Sequence, residues 1–278
     1  MIRPLAPHPA LQIGASHDTL VVADLHIGYE FELADMGINL PSQTHKITEA
    51  LLKLIENSKP KRLIILGDLK HNIPKLSLQE WQDLPGLLNQ ISDRVPTVEL
   101  IPGNHDAGIS KSASSRIKIA SSRGLIIGGR EKLGLFHGHA WPSPKLFEAG
   151  CWIVGHNHPA VQFRGFFGFK SLKPIWVKAE FNRRKMVEAF LHHRNIKTNG
   201  KKPEKILLDV FGVEALCSKL VVMPAFNELL GGLALNAKSQ TELLGPLLRS
   251  EALSLSDAET FLVDGTFLGK LQDLRKFG

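Results

Sequence analysis

Cysteine is scarce in this chain: Cys151 and Cys217 are the only two in 278 residues, and neither belongs to a CxxC pair. That excludes a disulfide framework and a thiolate metal cluster. No window approaches the run of about 18 apolar residues that a membrane-spanning helix needs. The opening "MIRPLAPHPALQIG" is broken by prolines and lacks the apolar core of a signal peptide. Coiled-coil heptads, internal repeats and low-complexity tracts are missing as well. An apolar fraction of 43% with 22% charged residues is that of a globular protein, not a disordered one. Together these absences lead to the expectation of a cytoplasmic, disulfide-independent chain with ample length for a sizeable core.

Charge is present in excess and unevenly spread. The net charge is +7, and from Arg183 to Lys205 eight Lys or Arg stand against two Glu, which accounts for +6 of it. Such a concentration suits a polyanion, because neutralised phosphates release counterions, and nucleic acid is the partner it suggests. The plain alternative is a solvated loop, and "KTNGKKPEK" reads as one.

Apolar runs ending in small or polar residues recur along the chain. "TLVVADL" (19–25), "RLIILGDL" (62–69), "TVELIPG" (97–103), "LGLFHG" (133–138) and "CWIVGH" (151–156) read as buried strands. Between the first two, Ile47, Ala50, Leu51, Leu54 and Ile55 fall at helical spacing, with Ser42 as the N-cap after Pro41. "LSLQEWQDLPGLLNQI" also has helical character, and Pro85 and Gly86 predict a break in it. Strand and helix thus alternate in the first half, as in βαβ units. After His158 short β-prone runs take over. The expectation is one domain over 1–278 with two sheets, and with the basic stretch 181–205 as an insertion or excursion.

Five polar clusters close five of these strands: Asp24 and His26 in "ADLHIG", Asp68 in "LGDLKH", Asn104, His105 and Asp106 in "PGNHD", His137 and His139 in "FHGHA", and His156 and His158 in "GHNHP". Loops at the carboxyl ends of strands converge, which is where sites assemble in open sheets. On an extended strand end Asp24 and His26 share a face, and so do His156 and His158. Carboxylate, imidazole and carboxamide donors without thiolate favour Mn²⁺, Fe²⁺ or Zn²⁺. Seven such ligands are too many for one tetrahedral ion and suit two, with Asp68 as the natural bridge. A lone His at a strand end is usually structural, and a lone "GD" carries almost nothing. The ordered set of five carries the signal.

That order, "DLH", "GD", "GNHD", "HGH", "GHNH", resembles the calcineurin-like metallophosphoesterases. The finer texture of "ADLHIGYE", "GDLKH" and "VVMPAFNELLGG" looks like an archaeal-type branch. That branch is related to nuclease subunits of double-strand-break repair and to phosphoesterases associated with DNA ligase. The resemblance implies an α/β (α+β) four-layer αββα sandwich of two mixed β-sheets flanked by helices. It implies that Asp24, His26 and His158 hold one divalent ion, that Asn104, His137 and His156 hold a second, and that Asp68 bridges them. Mn²⁺ is the expected metal, with Zn²⁺, Fe²⁺ or Ni²⁺ as alternatives. His105 then protonates the leaving oxygen while a hydroxide between the metals attacks phosphorus, and Asp106 orients the His105 ring and raises its pKa. The bet on His137 over His139 rests on its place at the strand end, and His71 is expected behind the bridge. The implied substrate is a phosphodiester, nucleic acid above all, with DNA-repair proteins as partners. The alternatives are small phosphoesters such as cyclic nucleotides, or a binding module that lost its chemistry. Trp141 is either a base-stacking ring or loop packing; His45, His192 and His193 read as surface residues and Cys151 as core.

Overall fold

The computed structural model describes residues 2–14, 18–73, 78–109, 116–129, 131–165, 168–239 and 242–278. Two compact units divide the chain: Met1–Ser122 with Ala225–Leu230, and Arg123–Pro224 with Gly231–Gly278.

The first unit holds one sheet in the order β1 (Ile2–Pro4), β2 (Ala10–Ile13), β3 (Thr19–Val22), β4 (Arg62–Ile65), β5 (Thr97–Leu100), β6 (Ile117–Ile119). From β3 to β6 the strands are parallel, and β1 and β2 extend the sheet antiparallel. The central strands are almost wholly buried, as parallel strands with apolar runs must be. Helix α1 (Tyr29–Asp35) follows β3, and α2 (Thr44–Ser58) and α3 (Leu78–Ser92) supply the crossovers. One apolar cluster joins Ile47, Leu51, Leu54 and Ile55 of α2 and Leu84, Leu87, Leu88 and Ile91 of α3 to Leu20, Val22, Leu63, Ile65, Val98 and Leu100 of the strands.

Two local expectations change here. The N-cap of α2 is Gln43, one residue beyond Ser42, although the Ser42 hydroxyl still accepts the Thr44 amide at 3.4 Å. The break expected at Pro85 and Gly86 is absent, and α3 runs through both. A proline inside a helix costs about 3 kcal/mol. Each of the four buried aliphatic side chains of α3, Leu84, Leu87, Leu88 and Ile91, contributes about 1.5–3 kcal/mol, so packing outweighs the lost amide.

The second unit holds a nine-stranded mixed sheet. Its path includes β7 (Leu125–Ile127), β8 (Leu133–Leu135), β9 (Cys151–Val154), β10 (Pro159–Arg164), β11 (Lys170–Glu180), β12 (Lys219–Val222) and β13 (Leu233–Ala234). The remaining two strands, β14 (Glu259–Leu262) and β15 (Phe267–Lys270), form a hairpin on β11. The core is aromatic: the Trp152 ring meets Phe147 at 4.9 Å and Phe136 at 5.5 Å, and its Nε1–H donates to the Leu146 carbonyl at 2.8 Å.

The basic stretch is integral to this core and is not an excursion. Helix α4 (Arg183–His193), capped by the Asn182 side chain, buries Met186, Val187, Phe190 and Leu191. Helix α5 (Pro203–Phe211) buries Ile206 and Leu207; of the loop expected over 197–205, residues 203–205 lie in this helix, and the chain between α4 and α5 covers 194–202. Trp141 is buried against Phe190 and so serves packing, not stacking on a base. Both units carry one mixed sheet with helices, which is the α/β class anticipated from the residues and the resemblance.

Candidate metal centre

Five candidate ligands share a backbone signature. Asp24 (φ 57°), His26 (42°) and Asp68 (49°) in the first unit, and His156 (70°) and His158 (40°) in the second, are left-handed. Only three other non-glycine residues among those described are: Lys59, Asn195 and Asn199. Strand β3 ends at Val22, so Asp24 and His26 are juxtaposed by successive left-handed turns and not by strand alternation. Such conformations cost about 1–3 kcal/mol each and persist only where the surroundings enforce them.

In the first unit the loops after β3 and β4 are laced together. Asp24 N donates to Gly67 O (3.1 Å), His26 N to Asp68 O (2.8 Å), Ile27 N to Leu69 O (2.9 Å) and His71 N to Ile27 O (3.0 Å). Asn227, buried, donates from Nδ2 to Leu25 O at 3.0 Å and so holds the same turn. The loop after β5 is joined by Asp106, whose carboxylate accepts Leu69 N (2.9 Å), Lys70 N (3.3 Å) and Gly103 N (2.9 Å). That carboxylate staples backbone. The expectation that it orients the His105 ring gives way to another partner: His105 Nδ1 meets the His71 carbonyl.

Asp68 sits at the centre of this arrangement. Its Oδ2 lies 3.4 Å from His26 Nε2, and its Oδ1 accepts the His105 amide at 2.9 Å. The approach of the two loops is so close that a Cβ on Gly103 would lie 2.1 Å from Asp68 Oδ1. Behind His26 stands His71, with the two Nδ1 atoms 3.0 Å apart, and His71 Nε2 meets Glu32. A carboxylate only accepts, so the contact with Glu32 calls for a proton on His71 Nε2. With His71 Nδ1 as the acceptor, His26 donates from Nδ1 and keeps Nε2 for a ligand. His105, giving its Nδ1–H to a carbonyl, likewise keeps Nε2 for chemistry. Donor atoms of His26, His71 and His105 lie within 4.8 Å of one another, as do those of Asp24 and His26. Asn104 is exposed beside them.

Lys70 and Glu80 are fully buried next to this cluster. Glu80 Oε1 accepts the amides of His71 (3.0 Å) and Asn72 (2.9 Å). Burial pushes the Lys70 ammonium below its ordinary pKa, while Glu80, Asp106 and Asp68 hold it up.

The second unit gathers three imidazoles. His137 is buried, with ring centroids 5.0 Å from His156 and 5.4 Å from His139. Donor atoms of His137 and His156 lie within 4.8 Å of each other. His139 thus stands in the same cluster as the residue preferred over it. Gly155 N donates to His137 O at 3.0 Å, which laces the two histidine loops. Buried Asn157 exchanges two hydrogen bonds with the Leu244 backbone, and the His158 carbonyl accepts Leu233 N at 2.8 Å. A Cβ on Gly232 would lie 2.7 Å from that carbonyl.

Oxygen and imidazole donors so arranged fit divalent ions of borderline hardness. Neither cysteine joins them. Burial pushes the Cys217 thiol up to about 12 and that of half-buried Cys151 to about 11.

The model of the calcineurin-like phosphoesterase family matches residues 17–218, which include all five motifs. This chain is a calcineurin-like phosphoesterase. No curated protein sequence matches it. Among solved structures, the Pseudomonas putida nuclease MPE is similar over 96% of this chain and 100% of its own, at 18% identity and a TM-score of 0.52, which establishes a shared fold. YfcE, a phosphoesterase from E. coli, aligns over 53% of this chain and 73% of its own at 22% identity and a TM-score of 0.35. An Aquifex aeolicus protein of unknown function aligns over 50% of this chain and 78% of its own, at 18% identity and 0.34.

As a calcineurin-like phosphoesterase the chain is a metal-dependent phosphoric ester hydrolase. Sequence reasoning named the histidines and carboxylates of the motifs and missed what holds them. Glu32, on the short α1, and Glu80, in the first turn of α3, follow no strand. Asn157 was visible only as the residue between the histidines of "GHNHP", Asn227 as a polar residue in "VVMPAFNELLGG", and Gly232 as half of a Gly pair.

Proposed function

We propose that this phosphoesterase hydrolyses phosphodiester bonds of nucleic acid. In the first unit Asp24, His26, Asp68 and Asn104 are ligands for divalent metal, Mn²⁺ foremost, and in the second unit His137, His156 and His158 are ligands likewise. When bound, such ions polarise the phosphate and lower the pKa of a coordinated water. Every other task falls to side chains. Asp68 turns Oδ2 toward His26 Nε2 and Oδ1 toward the His105 amide. His105, held through Nδ1–H on the His71 carbonyl, serves as the acid in its imidazolium form, giving its Nε2 proton to the departing oxygen and keeping the one on Nδ1.

The observation that carries the reading is the tethering of His105 Nδ1 to the His71 carbonyl, which leaves its other ring nitrogen for chemistry, on a loop whose His105 amide is held by Asp68. Nucleic acid is favoured by the cationic first turn of α4, Arg183 to Lys185, all exposed, and by the net charge of +7. The fold shared with a protein described as a nuclease is in keeping with this. Two unpaired cysteines suit a reducing, cytoplasmic setting.

The test is Mn²⁺-dependent hydrolysis of end-labelled single- and double-stranded DNA beside a 2′,3′-cyclic nucleotide, at low and moderate salt, with Asp68→Asn as blank. DNA cleavage that falls steeply with salt is expected. Turnover of the cyclic nucleotide alone would move the substrate to small esters. His105→Ala is expected to lose about 10²–10⁴-fold in turnover while binding Mn²⁺ as the parent does. Unchanged turnover would remove His105 as the acid.

A further inference from the structure

We infer that the outer end of the β10–β11 hairpin is a second contact for a nucleic-acid strand, reached only by substrates of about six nucleotides or more at 3.4 Å each. The inference rests on the nucleic-acid reading above and specifies how such a substrate is gripped.

The hairpin is rooted at the site. β10 begins at Pro159, the residue after His158, and ends at Arg164. Six residues of strand at about 3.3 Å each carry the chain about 20 Å from His158. Its inner end is buried from Pro159 to Val161, whereas residues 168–174 on the return are all exposed.

At the outer end Arg164 pairs directly with Lys170 across the ladder. Like charges in that position repel. Nothing in the sequence offsets them, because no Asp or Glu occurs between Glu148 and Glu180. Among the described residues no ion pair is made by Arg164, Lys170 or Lys173, although Lys178 further along β11 meets Glu259 at 2.9 Å. Beside this pair stands Phe169, 77% exposed, the most exposed large apolar residue of those described.

A ring in solvent next to two unneutralised cations weakens the fold that carries it. The same combination is what a single strand requires, since cations follow the phosphates and a ring stacks on a base. Neither the apolar core nor the motif loops account for it.

The experiment measures binding of phosphorothioate single-stranded oligonucleotides of 4 and 20 nucleotides to the Mn²⁺-loaded protein by fluorescence anisotropy. It compares the parent with Arg164→Ala/Lys170→Ala, Phe169→Ala and, on α4, Arg183→Ala/Arg184→Ala. The expected result is a tenfold or greater loss of 20-mer affinity in the first variant, and fivefold or more for Phe169→Ala. The log–log salt slope of the first variant becomes shallower by about 1.4, from two contacts at about 0.7 each. The 4-mer, too short to span the distance, binds the parent and the hairpin variants alike. The double variant melts no lower than the parent, because it removes a repulsion. If the parent binds the 20-mer and the hairpin variants do so equally well, the inference is overturned and the nucleic-acid reading stands. If the parent binds neither oligonucleotide yet hydrolyses bis(p-nitrophenyl) phosphate, that reading fails and the inference with it. Vesicles of phosphatidylserine and phosphatidylcholine form the last arm; hairpin-dependent binding to them, with DNA binding unaffected, would assign the hairpin to a lipid surface and overturn the inference.

Discussion

His26 and His71 face each other through their Nδ1 atoms, 3.0 Å apart, a contact in which one ring must donate and the other accept. Glu32 decides which by requiring a proton of His71 on Nε2. A residue with no place in any motif therefore sets the lone pair that His26 presents to a metal. Glu32→Leu is expected to weaken Mn²⁺ binding about tenfold in a calorimetric titration, the usual range for a partner behind a ligand. Glu32→Gln, which keeps an oxygen acceptor, should bind within a factor of two or three of the parent. Identical affinities for Leu and Gln would show that the tautomer is set elsewhere. At this scale the sequence exposed the ligands and not their supports. The motif residues announce themselves by type and by position after strands. Glu32 and Asp106 act through contacts 39 and 37 residues away, which no local spacing encodes.

The loops that carry the site are held by elements whose own chemistry is testable. Glu99 on β5 is buried and bonded to Arg62 of β4 at 2.6 Å and Lys118 of β6 at 3.0 Å. Burial alone would raise its carboxyl, but these two cations outweigh it and hold the pKa below the ordinary 4.5. A depressed folded value means the pair stabilises fully above that ordinary value, and the contribution is lost as pH falls through the folded one. Glu99→Gln should therefore cost about 1–3 kcal/mol in urea unfolding at pH 7. The gap to the parent should close in acid, and a gap independent of pH would show that charge plays no part. Gly103 makes a different demand, because a methyl group there collides with Asp68. Gly103→Ala is expected to remove more than 99% of turnover while far-ultraviolet circular dichroism stays that of the parent. The strands that end in the motifs were readable because buried parallel strands are continuous apolar runs. Short β6 and β7 and the proline-flanked β1 and β2 were not, since three or four residues carry no period. The run of α3 through Pro85 was hidden for another reason: only the tertiary core outweighs the local rule.

Two separate apolar clusters, one per unit, underlie the whole molecule. Each unit carries proposed ligands of its own, so metal binding at those ligands stabilises the unit that holds them. Mn²⁺ at a hundredfold its Kd would add about 2.7 kcal/mol. The unfolding transition followed by near-ultraviolet circular dichroism of a Trp81→Phe variant, whose remaining Trp141, Trp152 and Trp176 all lie in the second unit, should then shift upward with the far-ultraviolet one and return with a chelator. A far-ultraviolet shift without the tryptophan shift would strike His137, His156 and His158 from the ligand set. The division into units was not legible in the sequence, because the boundary at residue 122 is marked by no linker composition.

The return of Ala225–Leu230 to the first unit has a consequence for how the protein is made. Phe226 belongs to the first core, and Asn227 braces the turn that bears His26. A ribosome that has finished residue 122 must add about a hundred more before those two residues emerge. At about 5–20 residues per second that interval is about 5–20 s. Through it the nascent first unit lacks its last brace, and a chaperone meeting the chain then would find the histidine turn still unfastened.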